Sequence, residues 1–231
     1  MISSPDFTIS QEREAVAQFK EDYLREFGDK FERSFLEGYA LRDWEYGLTL
    51  LYAKLKDTDC LLDVGGGESF FMAYAAKFIN QGYIVDNAFV PRQWYDDWVK
   101  MMMKFAAFQT GKVKILEQNA KSLPFEDKFF DKVVTFSALE HFLDDDDTLA
   151  VQEIYRVLKD DGILLGTVDF NPCNEYPHPT SPDYRAYTYE SFWRRIIRPS
   201  KFKLIGEANY LSPLPKKVDY IAAPLFFALN K

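Results

Sequence analysis

Cys60-Leu61-Leu62-Asp63-Val64-Gly65-Gly66-Gly67-Glu68-Ser69 is a short apolar run that breaks into three consecutive glycines. An apolar stretch too short for a helix and closed by glycine predicts a buried β-strand and a tight turn. Glycine lets the backbone turn sharply and approach a ligand with no Cβ in the way. Outward from this stretch the pattern repeats. Apolar runs at 83–85, 113–116, 132–136, 162–168, 202–205 and 220–229 follow it, with helix-length segments at 69–80, 91–108 and 146–158. Such alternation predicts an α/β fold, a Rossmann-like seven-stranded and mostly parallel sheet with helices on both faces. Between the last two runs there is no room for a helix, and Pro213 and Pro215 lie in the connection 209–218. That spacing predicts a hairpin and therefore an antiparallel C-terminal strand.

Upstream, residues 10–56 read as helical. Phe19, Tyr23, Phe27, Phe31 and Phe35 recur every four residues and mark one helix face, with Gly28 and Gly38 as breaks. A stripe of this kind is read as core ahead of a substrate box. These helices have no place in the sheet, so residues 1–55 are expected to form an N-terminal helical cap or lid, and 56–231 the Rossmann-like domain.

Composition narrows the class. The 231 residues are 47% hydrophobic, enough to bury a full core, and carry a net charge of −8. With no run of Lys and Arg to neutralise phosphates, a nucleic-acid partner is not expected, although Arg194, Arg195 and Arg198 form a local basic group. Cys60 and Cys173 do not make a disulfide framework. A zinc site at Cys173 and His178 is not expected either, and no metal is assigned. No basic leader precedes an apolar stretch at Met1 to Ser10, and no run reaches membrane-spanning length. The expectation is a cytoplasmic protein, a monomer or homodimer.

Open parallel sheets bind ligands beyond the carboxyl ends of their strands, so the residues after each run carry the functional signal. Gly65 and Gly67 fit the first part of a dinucleotide-binding fingerprint, but Phe70 stands where the third glycine belongs. Asp86 follows the second run, 19 residues beyond Gly67, a distance suited to a carboxylate that accepts from a ribose diol. The third run leads to Gln118-Asn119-Ala120-Lys121-Ser122-Leu123-Pro124-Phe125, and the fourth to Ser137-Ala138-Leu139-Glu140-His141-Phe142. Glu153-Ile154-Tyr155-Arg156-Val157-Leu158-Lys159-Asp160-Asp161-Gly162 then precedes the fifth.

Taken in order, these strings resemble the class I S-adenosylmethionine-dependent methyltransferases of the ubiquinone/menaquinone-biosynthesis type, the methyltransferase type 11 family. The resemblance covers roughly residues 55 to 170. It implies S-adenosylmethionine as cofactor and S-adenosylhomocysteine as product. It further implies that Gly65 and Gly67 carry the methionine part against bare backbone, with Asp63 and Gly66 in the same loop. Asp86 would hold the ribose, Asn119 and the N–H of Ala120 the adenine edge, and Ser137 and Ala138 the floor near the sulfonium. Asn119 stands where the family usually has Asp, keeping an acceptor but losing its charge. Ser69 stands at the family's third glycine, where its hydroxyl suits a helix cap.

Methyl transfer from a sulfonium is an in-line displacement in which the protein chiefly positions and desolvates. A general base is needed only where the acceptor must lose a proton early, and His141 is the candidate, against a packing or capping role. The acidic run Asp144 to Asp147 reads as a solvated helix start. The acceptor is expected to be a small molecule or a glycan. Arg42, Tyr176, His178, Tyr184 and Arg185 are its candidate contacts, between the N-terminal helices, loop 169–187 and the 209–218 connection. Arg42-Asp43-Trp44-Glu45-Tyr46 and Tyr184-Arg185-Ala186-Tyr187-Thr188 also resemble, more weakly, members acting on sugars. Two alternatives remain open at this point: a catalytically silent cofactor-binding subunit, and a nicotinamide-dependent oxidoreductase, against which Phe70 speaks.

Overall fold

The computed structural model describes residues 9–27, 42–67, 69–87, 92–171, 176–178, 181–205 and 223–231. Its centre is a seven-stranded sheet built from β1 (Cys60–Val64), β2 (Gln81–Asp86), β3 (Val113–Glu117), β4 (Phe130–Phe136), β5 (Leu158–Phe170), β8 (Lys203–Leu204) and β9 (Ala223–Asn230). The strand order is β3-β2-β1-β4-β5-β9-β8. The first five strands run parallel. β9 is antiparallel to both of its neighbours, with Leu229 opposite Leu164 of β5 and Leu204 of β8. The architecture expected from the apolar runs is therefore the one observed, the antiparallel C-terminal strand included. Residues 206–222, which contain the 209–218 connection, lie outside the described residues.

Strand alternation sorts the core into two layers, because successive side chains point to opposite faces. Leu61, Val134, Leu165, Phe226 and Ala228 face one layer. Leu62, Val133, Leu164, Leu225, Phe227 and Leu229 face the other. The second layer is covered by α6 (Asp146–Val157) through Ala150, Val151, Ile154 and Val157, and by Phe192, Ile196 and Ile197 of the segment beginning with α7 (Tyr189–Phe192). The first is covered by α1 (Ile9–Phe27), α2 (Arg42–Ala53), α3 (Phe71–Ala75), α4 (Arg92–Met102) and α5 (Ala106–Gln109).

Phe19 and Tyr23 of the N-terminal stripe are core residues. Phe19 meets Tyr74 edge to face at 5.1 Å and Tyr46 at 5.8 Å. The hydroxyl of Tyr52 in α2 donates to Glu12 of α1 at 2.7 Å and ties the two helices together. The side chain of Phe27, and Phe31 and Phe35 altogether, lie outside the described residues.

Three local readings change. The helix expected over 69–80 spans only Phe71–Ala75, with Phe70 buried before it. β5 starts at Leu158, directly after α6, so that Lys159 to Asp161 extend the strand instead of forming a turn. Loop 169–187 holds a two-stranded ribbon, β6 (Tyr176–His178) and β7 (Ser181–Ala186). Tyr187 continues from it with an N–H that donates to the Asp169 carbonyl at 2.8 Å.

Asp147 overturns the reading of the acidic run as solvated. It is fully buried, and both of its oxygens are held by Arg195, at 2.6 and 2.8 Å. The Tyr187 hydroxyl donates to it at 2.6 Å. Arg195 is thereby committed to an internal ion pair and does not form part of a basic surface.

Candidate functional site

The chain order places β2 and β4 on either side of β1, which is the switch point where open α/β sheets leave a crevice at their carboxyl edge. A cavity of about 380 Å³ lies there, within the usual range for small-molecule sites. Its lining includes Gly65, Gly67, Asp86, Asn119, Ala120, Ser137, Ala138, His141 and Arg42, all expected from the sequence, together with Val85, Asn87, Gln118, Lys121, Phe136, Phe142 and Asp146.

Backbone bonds hold the loops at this edge. Gly65 N–H donates to the Val85 carbonyl at 2.8 Å, Gln118 N–H to the Asp86 carbonyl at 2.8 Å, and Ser137 N–H to the Thr167 carbonyl at 3.1 Å. Gly65 has φ +70°, and a side chain there would run into Ala138. Gly67 N–H donates to Asp86 Oδ2 at 2.9 Å, and a Cβ at Gly67 would stand 2.7 Å from that oxygen. The two motifs are thus one structure, because only glycine leaves the Asp86 carboxylate its place. Ser137, with φ +47°, is a non-glycine residue in the left-handed region, the kind of strained backbone that functional sites retain.

Asp63 and Gly66 do not line the cavity. Asp63 is fully buried, and a Cβ at Gly66 would stand 2.7 Å from its Cγ. Burial pushes the Asp63 carboxyl up to about 7. The Ser69 hydroxyl and the Arg42 guanidinium pull the other way, and the Asp86 charge reinforces burial. A carboxyl raised in the folded state ionises first in the unfolded one, near the ordinary value of about 4. Its contribution to stability is therefore lost as pH rises from there to about 7. Asp63→Asn is expected to stabilise the protein at pH 8 and to change little at pH 4. Urea midpoints at the two pH values check this, and an equal shift at both would contradict it.

Asn119 spends one lone pair internally, since its Oδ1 accepts from Lys121 N–H at 2.9 Å. Lys121 in turn reaches Asp146 at 2.7 Å, joining the loop after β3 to the start of α6. His141 lies 5.2 Å from the Tyr184 ring. Burial lowers its pKa, and the nearby Arg42 charge adds to this. Arg185 does not line the cavity. Its guanidinium donates to the carbonyls of Phe142 and Asp144, both at 2.9 Å, and supports the wall that carries Phe142. The side chains of Tyr176 and His178 lie outside the described residues, as does Cys173. Among the described residues no group of three or more His, Cys, Asp or Glu is disposed to hold a metal.

The sequence did not single out four residues that organise the site. Trp98 Nε1 donates to the Ser69 carbonyl at 3.1 Å, and Tyr46 Oη lies 3.2 Å from Ser69 Oγ. These contacts pin the end of the glycine turn to α4 and α2, while the Phe71 N–H donates to Ser69 Oγ at 3.2 Å. Glu45, almost fully buried, accepts from Arg42 at 2.6 Å, Ser137 Oγ at 3.1 Å and Thr167 Oγ1 at 2.7 Å. Its available signal was a carboxylate three residues after Arg42 in a helix that is otherwise largely apolar. No helix among the described residues is long and apolar enough to cross a membrane.

Residues 62–166 match the family described as Methyltransferase domain. An uncharacterised protein of Methanocaldococcus jannaschii is 31% identical over 147 residues, 63% of this chain and 51% of that one. A ubiquinone/menaquinone biosynthesis C-methyltransferase of Marinomonas sp. is 26% identical over 160 residues, 68% of this chain and 58% of that one. The chain thus spans roughly half the length of these relatives. Among solved structures, a Burkholderia thailandensis 1,6-didemethyltoxoflavin-N1-methyltransferase with bound 1,6-didemethyltoxoflavin and S-adenosylhomocysteine matches with a TM-score of 0.64. That match has 17% identity and covers 100% of this chain and 94% of the other, a likeness of fold.

Proposed function

We propose that this chain, a class I S-adenosylmethionine-dependent methyltransferase by domain and fold, binds S-adenosylmethionine in the carboxyl-edge cavity and methylates a small-molecule or sugar acceptor. The observation that carries the reading is the coupling of the glycine turn to Asp86. It leaves bare backbone beside a fixed carboxylate at the sheet's switch point. When bound, the cofactor supplies an already activated methyl group on sulfur.

The chain's own residues would do the rest. Gly65 and Gly67 give the methionine portion room along the backbone, with Asp63 and Gly66 bracing the turn behind them. Asp86 accepts from the ribose hydroxyls, while Asn119 and Ala120 N–H meet the adenine edge. Ser137 and Ala138 floor the methyl end. Arg42 and His141 lie at the acceptor side of that end, with Tyr184 beside His141. The helices of residues 1–55 act as the cap that keeps water from the reacting atoms. Tyr176 and His178 are retained as acceptor contacts, Arg185 as the group that fixes the wall, and a cytoplasmic location as part of the same reading.

S-adenosylhomocysteine is expected to raise the melting temperature by linkage. No shift at millimolar ligand would overturn the assignment. Asp86→Ala is expected to weaken its binding more than Asn119→Ala, because a carboxylate makes stronger charge-assisted bonds to two hydroxyls than a neutral amide makes to adenine. Calorimetry on the two variants checks the order, and an inverted order would misplace the ribose.

A further inference from the structure

At the end of the cavity remote from Asp86 and Asn119, the structure gathers more negative charge than methyl transfer to a neutral acceptor requires. Arg42 and Ser137 line the cavity there, and both bond to Glu45. Glu140, in the turn that also carries His141, is fully buried. Neither of its carboxylate oxygens meets a hydrogen-bond partner among the described residues. Asp169 completes the group. Thr167, which donates to Glu45, lies on the same strand face two residues earlier. Strand alternation therefore sets Asp169 one pleat nearer the carboxyl edge, on the side of Arg42. Of the three carboxylates it alone keeps exposed surface.

One guanidinium balances one of these carboxylates. Arg42 stands 2.6 Å from Glu45, leaving Glu140 and Asp169 uncompensated. Burial, and the negative charge that each carboxylate feels from its neighbours, hold both above the ordinary carboxyl range, Asp169 at about 6. Burying two such groups without a partner is costly. A cation placed between them and the cavity would remove the cost.

We propose that the methyl acceptor is an amine that arrives protonated, seated against Asp169 at the carboxyl edge of β5 with Glu140 behind it. This rests on the methyltransferase reading and narrows its acceptor class. The ammonium gives one proton to the carboxylate pair, which then holds a single shared proton, and the nitrogen is left with its lone pair. The nitrogen attacks the methyl carbon, and the carbon–sulfur bond breaks with its electron pair going to sulfur. The products are a methylated ammonium and a neutral thioether. Positive charge moves from sulfur to nitrogen, toward the remaining negative charge of the pair, which stabilises the transition state as that charge develops.

The test uses the full chain saturated with S-adenosylhomocysteine, probed by calorimetry with matched pairs: benzylamine against benzyl alcohol, putrescine against butane-1,4-diol, and glucosamine against glucose. At least one amine is expected to bind at least about 10-fold tighter than its alcohol, the scale of a hydrogen bond to a charged group. That preference is expected to disappear in Glu140→Gln and in Asp169→Asn, while their affinity for S-adenosylhomocysteine stays within about 3-fold of the parent. Amines that bind no better than alcohols, or a preference that survives both substitutions, would overturn the inference and identify the cluster as a brace between α2 and the sheet. Loss of S-adenosylhomocysteine binding in the variants would assign the carboxylates to the cofactor and overturn it equally. If the parent protein fails to bind S-adenosylhomocysteine at all, the methyltransferase reading itself falls.

Discussion

Gly67→Val is expected to reduce S-adenosylhomocysteine affinity by at least about 100-fold, or roughly 2.7 kcal/mol, while the protein remains folded. The sequence argument for this substitution is that a side chain would occupy ligand space. The structure supplies a more specific cause. A Cβ at residue 67 would stand 2.7 Å from Asp86 Oδ2 and 2.9 Å from its Cγ, closer than ordinary contact allows. The two methyl groups of valine extend that collision, so the carboxylate must turn away from the position fixed by the Gly67 N–H. Two effects then act together: the close approach of bare backbone is lost, and the ribose acceptor is displaced. Because the strain falls at the rim of the sheet, its core layers are left intact. Circular dichroism should match the parent, and Gly67→Ala should fall between the two proteins. Parent-like affinity in the valine variant would reduce the glycine turn to a structural connection.

Asp147→Ala is expected to destabilise the fold by about 3–5 kcal/mol, the range for removing one partner of a buried ion pair. Asp147 is fully buried and accepts from Arg195, Tyr187 and its neighbour Thr148 N–H, all within 2.8 Å. Its removal strands the Arg195 guanidinium, whose side chain is only 12% exposed, and the buried Tyr187 hydroxyl. Asp147→Asn keeps one acceptor oxygen and should cost less. Urea unfolding of the three proteins at constant slope measures the difference. Because Arg185 also meets Asp147, at 3.4 Å, and holds the Phe142 and Asp144 carbonyls, the cavity wall should loosen as the pair is lost. A shift below about 1 kcal/mol, the value of an exposed pair, would show that this network is open to solvent.

The two substitutions mark the boundary of what the chain discloses on its own. Alternation of apolar runs and helical segments follows from local periodicity, and it was enough for the seven strands, the parallel sheet and the antiparallel final strand. Residues that follow a strand directly are placed by topology, so Gly65, Gly67, Asp86, Asn119, Ala120, Ser137 and Ala138 could be read and were brought together around one cavity. The ribbon β6–β7 was not legible, because four prolines in residues 172–182 interrupt any strand pattern. The early start of β5 was hidden by Lys159-Asp160-Asp161-Gly162, whose composition reads as a turn until Leu158 is seen paired with Phe130.

What the sequence determined by itself is therefore what depends on neighbours along the chain: strand and helix alternation, the glycine turn, and an acid at ribose distance. What only the tertiary structure decided depends on partners far apart in sequence. Asp147 looks like its three acidic neighbours until Arg195, 48 residues away, is found against it. Glu45 looks like a surface helix residue until Thr167, 122 residues on, donates to it. A charge carries no local mark of whether it will be buried, because the cost of desolvation is set by whatever packs around it and by the partner that offsets it.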